Sequence, residues 1–241
     1  MSDKPTLYLV PGLLCDERVW AHQQAVLGAD WDVRIANTRG CRDFADMAQR
    51  ILDDAPARFA LAGHSMGARV ALAVVDKAPE RVERLAVMDT GVHPRGSAEF
   101  DARMRFVTIA REQGMAALAR AWGPPMVGAT RRADERFMND IFEMVQRYSL
   151  DEYEGQINAL LNRPDAEQVL KTVTCPTLVL CGRDDEWSPP SQHEPIVAAL
   201  QRPHYVIIED CGHMAPMEQP EPVTEALRNW LSDSAAKRSL A

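Results

Sequence analysis

The stretch that most constrains this chain is Phe59-Ala60-Leu61-Ala62-Gly63-His64-Ser65-Met66-Gly67. An apolar run stops at Gly63-His64-Ser65-Met66-Gly67, and a helical pattern starts at once. A turn this tight between a buried strand and a helix needs residues without a Cβ at the points of closest approach, which Gly63 and Gly67 supply. The apex residue, Ser65, is then pushed out at the carboxyl end of the strand. The competing assignment for Ser65 is a helix N-cap in a glycine-rich turn.

Around this point, short apolar strands alternate with helices. Thr6–Val10 is a strand-like run stopped by Pro11-Gly12. A helix is expected from Asp16 to Leu27, a strand at Trp31–Ala36, and a helix at Asp43–Leu52. The helix after Ser65 is expected to end near Ala78, because Pro79 disfavours helical geometry in the residue before it. Further strands are expected at Leu85–Asp89, Thr177–Cys181 and Tyr205–Glu209, with helices at Pro190–Leu200 and Pro222–Leu231. The tail Ser232–Ala241 is expected to fray. This alternation predicts an α/β fold, a mostly parallel central sheet with helices on both faces. In such sheets ligands bind beyond the carboxyl ends of the strands.

The alternation breaks between Val92 and Thr174, where helical periodicity appears without strands. Phe137, Ile141, Met144, Val145 and Tyr148 share one helical face, and Leu150, Tyr153, Ile157, Leu160 and Leu161 another. A helix from Glu99 to Arg120 is interrupted near Gly114, and Trp122-Gly123-Pro124-Pro125 is expected to be a loop. The organisation expected is a core domain of residues 1–91 and 175–241, with residues 92–174 inserted between two strands as an all-helical cap, or lid.

Composition removes several function classes. The net charge of −8, with no basic stripe, argues against a nucleic-acid partner. No apolar segment approaches the ~20 residues that span a bilayer, so no membrane association is expected. The first residues carry no signal-peptide arrangement, and five cysteines form no C-x-x-C pair, which fits reduced thiols in a cytoplasmic protein. Six histidines show no metal-binding spacing, so no metal is implied. The pattern fixes no oligomeric state.

Four motifs carry a resemblance to a family. They are Pro11-Gly12-Leu13-Leu14 with Trp20, Gly63-His64-Ser65-Met66-Gly67, Gly182-Arg183-Asp184-Asp185 with Pro189, and Cys211-Gly212-His213 followed by Pro216, Glu218 and Pro220. In this order, Ser before Asp before His, they resemble the α/β-hydrolase superfamily, specifically its small, cap-bearing, esterase-like members. The resemblance implies Ser65 as nucleophile and His213 as general base and acid. It implies an oxyanion hole made by the backbone N–H groups of Leu13 and Met66. The family's usual His-Gly is Pro11-Gly12 here, so the histidine's hydrogen bonds in that loop are absent. The family's spacing from Gly182 points to Asp185 as the acid, with Asp89 and Asp184 as alternatives. His64, beside the nucleophile, is expected to point away from substrate.

The activity implied is cleavage of a carboxylic ester or lactone of small-molecule size through an acyl-enzyme, with no cofactor. Carbon–carbon bond hydrolases, thioesterases, perhydrolases and lyases reuse the same triad, and a non-catalytic small-molecule receptor can keep the fold. Trp187 and Trp122 are candidate pocket walls. From Arg95 to Asp165, ten arginines face eleven acidic residues, a balance that does not point to a strongly anionic substrate.

Overall fold

The computed structural model describes residues 4–232. Of the tail expected to fray, only Ser232 falls among them.

The chain runs β1 (Thr6–Val10), α1 (Ala21–Leu27), β2 (Asp32–Ile35), α2 (Phe44–Asp54), β3 (Phe59–His64), α3 (Met66–Lys77) and β4 (Val82–Met88). Six helices follow without a strand: α4 (Glu99–Gln113), α5 (Met115–Met126), α6 (Ala129–Arg132), α7 (Glu135–Gln146), α8 (Leu150–Leu161) and α9 (Glu167–Leu170). The sheet then resumes with β5 (Thr177–Gly182), α10 (Pro190–Ala199), β6 (Pro203–Ile208), α11 (Ala215–Glu218) and α12 (Pro220–Ser232). Short 3₁₀ turns, Glu17–Trp20 and Pro79–Arg81, lead into α1 and β4.

The strand order is β2-β1-β3-β4-β5-β6, and every pair is parallel. This is the parallel sheet expected from the alternation, in the α/β-hydrolase arrangement that the motif resemblance implies. After β1 the chain goes to one side for β2 and returns on the other for β3. The carboxyl ends of β1 and β3 therefore border the crevice where such sheets bind ligands. The central strands β1, β3 and β5 are buried along their whole length, as strands covered on both faces must be. The edge strands β2 and β6 are only partly covered.

Helix boundaries follow side-chain caps. The Asp43 side chain accepts from the Asp46 amide at the start of α2, and Asp134 does the same for Phe137 in α7. Ser149 and Glu152 form a reciprocal capping box on α8. One expectation fails. Trp122-Gly123-Pro124-Pro125 is not a loop but the last turn of α5. A proline's fixed φ suits a helix, and its missing N–H matters less near a helix end. Trp122, Gly123 and Met126 are buried there. A Cβ on Gly123 would meet the Phe142 ring at 3.0 Å, so close packing against α7 offsets the weak local propensity.

Candidate active site

Ser65 sits between β3 and α3 at φ 55°, ψ −118°. This backbone conformation costs a residue with a Cβ about 1–3 kcal/mol and persists only when its surroundings hold it. The hold is visible on both sides. The Ser65 amide donates to Met88 O on β4 at 2.8 Å, and Thr90 Oγ1 donates to Ser65 O at 3.1 Å. A Cβ on Gly67 would lie 2.2 Å from Val10 O, and one on Gly63 would lie 2.3 Å from Gly67 O. Only glycines let α3 start this close to β1 and β3. The Ser65 side chain makes no N-cap bond, which removes the capping assignment.

The Ser65 hydroxyl meets His213. Ser65 Oγ and His213 Nε2 are 2.8 Å apart, and His213 Nδ1 is 2.8 Å from Asp185 Oδ2. A carboxylate only accepts, so the His213 proton lies on Nδ1, and Nε2 is left to accept the Ser65 O–H. Asp185 is 2% exposed, and its other oxygen accepts the Trp187 and Ser188 amides, each at 2.8 Å. Burial works to raise the Asp185 pKa. The charge and hydrogen bond of His213, with the two amides, outweigh it and hold the carboxyl below the usual aspartate range.

Neither alternative acid bonds to His213. Asp89 Oδ1 accepts the Gly182 amide at 2.9 Å, and its Oδ2 has no hydrogen-bond partner among the described residues. Complete burial and the nearby Asp185 charge raise its pKa well above the aspartate norm. Asp184 is exposed, and its backbone amide donates to Cys211 O.

The loop carrying His213 is fixed through its backbone. The His213 amide donates to Met126 O at the end of α5 at 3.0 Å. The Glu218 carboxylate, 3% exposed, accepts three amides: Gly128 at 2.7 Å, Gly212 at 3.1 Å and Met214 at 3.0 Å. His64 points away from the cleft, as expected, and has a partner there. Its Nε2 donates to His213 O at 2.7 Å. Burial, and then the nearby His213, push the His64 pKa down to about 3, so it is neutral. His193 is likewise structural. Its Nε2 accepts the Thr90 amide, and its Nδ1 donates to Pro189 O.

Leu13 and Met66 border the same cleft as Ser65 and His213. Met66 opens α3, where helix amides have no intrahelical acceptor. The Leu13 loop has a shape of its own. Leu14 stands at φ 57°, and its amide donates to Gln156 Oε1 on α8 at 3.0 Å. The Tyr148 hydroxyl donates to Cys15 O at 2.6 Å. Where the family's histidine is missing, two residues of the helical segment hold the loop. No local pattern announces Gln156, which lies 142 positions away from the loop that it holds.

The cleft has a volume of about 380 Å³. Trp122 and Trp187 line it, with Trp187 39% exposed at its rim. Sequence reasoning missed a third wall. Arg69, Arg103 and Arg163 also line the cleft, with Glu99 among them. The available signal was position, since Arg69 lies in the first turn of the helix that follows Ser65. Among the described residues no group of three or more His, Cys, Asp or Glu side chains could hold a metal ion, and no helix is long and apolar enough to cross a membrane.

The profile of the alpha/beta hydrolase family matches residues 7–226. The chain belongs to the alpha/beta hydrolase family. With that membership comes hydrolase chemistry. Among curated relatives, this hydrolase is 24% identical over 261 residues to RutD of Escherichia coli O127:H6, provisionally named a carbamate hydrolase; the match covers 100% of this chain and 96% of RutD. Among solved structures it resembles a malate-bound thermophilic esterase from Thermogutta terrifontis, with TM-score 0.85, 27% identity, and 95% and 91% of the two chains covered. The enol-lactonase of Burkholderia xenovorans LB400 shares the fold, with TM-score 0.87, 24% identity, and 96% and 93% covered.

Proposed function

We propose that this hydrolase cleaves a carboxylic ester or lactone through an acyl-enzyme. Ser65 attacks the carbonyl carbon while His213 Nε2 takes its proton, and Asp185 orients and stabilises the imidazolium. The carbonyl oxygen becomes an anion held by the amides of Leu13 and Met66, donors worth roughly 3–4 kcal/mol each toward such a charge. The tetrahedral species collapses, the alcohol leaves with the proton from His213, and Ser65 is acylated. Water then repeats the sequence and releases the acid. In a lactone the leaving alcohol stays attached to the acyl group until that hydrolysis.

The observation that carries this reading is the continuous contact from Ser65 Oγ through the His213 ring to Asp185 Oδ2, at 2.8 Å on each side. The esterase and lactonase among the similar structures support the choice of ester and lactone. Residues 92–174 act in this reading as a cap whose α5 and α8 reach the two working loops, with residues 1–91 and 175–241 as the core. Trp122 and Trp187 form part of the acyl pocket. The five cysteines, all free thiols, suit a reducing cytoplasm.

The test is a panel of esters, lactones, thioesters and carbamates, read by kcat/KM for the native protein and Ser65→Ala. The expected result is turnover of an ester or lactone with an acylation burst, reduced about 10³-fold or more in Ser65→Ala. Undiminished turnover by Ser65→Ala, or preferred cleavage of another bond class, refutes the proposal.

A further inference from the structure

One cleft wall carries charge that the proposed triad does not use. Arg69, on α3, is four residues beyond Ser65, and both line the cleft. Arg69 is 9% exposed. Its Nη2 donates to His93 O at 3.0 Å, and no other acceptor takes its guanidinium among the described residues. None of their carboxylates lies within 4.0 Å of it. Arg163 Nε reaches the same carbonyl at 3.4 Å, so the two guanidinium groups lie side by side.

The Glu99 carboxylate is already used. Glu99 Oε1 accepts from Arg103 Nε at 2.8 Å and from Arg163 Nη1 at 2.7 Å, and Oε2 accepts from Arg163 Nη2 at 2.6 Å. Arg103 and Arg163 are as buried as Arg69. Two of the three buried guanidinium groups therefore hold Glu99, and Arg69 pairs with no carboxylate among the described residues. Burial and the adjacent Arg163 both work against the charge on Arg69. Other acids do not pair with it. Asp165 is no closer than 4.0 Å; Glu186, also on the cleft lining, pairs with Arg132; and Asp89 is driven toward its neutral form. The side-chain count in the helical segment is balanced, but its distribution in space is not. A buried guanidinium fork with open donors is a receptor for a carboxylate, which satisfies two of them at once.

We propose that Arg69, with Arg163 behind it, forms an anion subsite in the active-site cleft, and that the ester or lactone cleaved at Ser65 carries a free carboxylate on its acyl part. The substrate is then a half-ester or carboxylated lactone derived from a short dicarboxylic acid rather than a neutral ester. This inference rests on the proposed ester hydrolysis and adds the substrate class.

The experiment compares two p-nitrophenyl esters of glutaric acid, one with the second carboxyl free and one with it capped as a methyl ester. Each kcat/KM is divided by the rate of hydroxide hydrolysis, which removes intrinsic reactivity. The native protein is expected to prefer the free acid by about tenfold or more. Arg69→Gln is expected to collapse that ratio, and Arg69→Lys to restore part of it. Glutarate is expected to inhibit competitively. Arg69 also borders a second hollow with Asp165 and Ala166, and non-competitive inhibition would place the anion there and overturn the proposal. A native ratio near one overturns it without any variant, as does an equal loss on both esters in a folded Arg69→Gln. Turnover of neither ester by the native protein refutes ester hydrolysis instead. The subsite is then read by the rise in melting temperature with glutarate. It stands if Arg69→Gln or Arg69→Lys diminishes that rise and falls if there is none to diminish.

Discussion

Replacing Glu218 tests whether the loop after β6 is held from inside. Its carboxylate takes three buried amides, one from the helical segment (Gly128) and two from the His213 loop (Gly212 and Met214). Burial raises its pKa, while those amides work the other way. In Glu218→Ala all three donors lose their acceptor, and an unpaired buried donor costs about 1–3 kcal/mol. Shared relaxation and water reduce the sum, so the expected loss is about 3–5 kcal/mol, a large part of an ordinary domain's stability. Glu218→Gln separates hydrogen bonding from packing. Its amide oxygen can keep Gly128 and Gly212, which both use Oε2, but its NH₂ then faces the Met214 N–H, donor against donor. The expected loss is about 1–2 kcal/mol. Urea unfolding gives both values, and fluorophosphonate labelling of Ser65 in the folded variants reports whether His213 has moved. Glu218→Ala should label at least about tenfold more slowly than the native protein, because small misplacements of a catalytic group are costly. A loss under about 1 kcal/mol with unchanged labelling would show that the His213–Met126 bond and α11 hold the loop alone.

Two further perturbations give numbers of their own. His64 is neutral in the fold, with its pKa depressed to about 3, whereas the unfolded chain protonates near 6.5. Stability from this group is therefore complete above pH 6.5 and is lost as pH falls toward 3, by about 2 kcal/mol between pH 6.5 and 4.5. Urea unfolding of native protein and His64→Gln across that range should show the variant with the shallower slope; equal slopes would contradict burial of a neutral His64. Gly67→Ala puts a Cβ 2.2 Å from Val10 O, where both contacting groups are backbone or fixed to it. A loss of at least about 3 kcal/mol is expected, at or above the top of the range for overpacking, and a melting temperature within a degree or two of native would refute the close approach.

How much of this was legible in the chain depended on distance along it. The turn at Ser65 was legible because strand end, glycines and helix start lie within nine residues. Asp185 was legible because its spacing from Gly182 is local, and the structure puts Asp185, not Asp89, against His213. The last turn of α5 was not, because two prolines outweigh its burial when only neighbours are read. Burial against Phe142 on α7 is a tertiary fact. Glu218 was visible as part of a motif, but its three amides belong to segments up to 90 residues away. The arginines were visible as a count, and counting cannot reveal that one glutamate serves two of them.

The attachment of the Leu13 loop has a mechanical consequence. Gln156 on α8 grips the Leu14 amide, and Tyr148, just before α8, grips the Cys15 carbonyl. Any displacement of α8 that widens the cleft pulls on the segment that presents the Leu13 amide. In the proposed mechanism, where the Leu13 amide is an oxyanion donor, widening the doorway and detuning that donor would be one motion, and an enzyme jointed in this way would not be fully open and fully competent at the same moment.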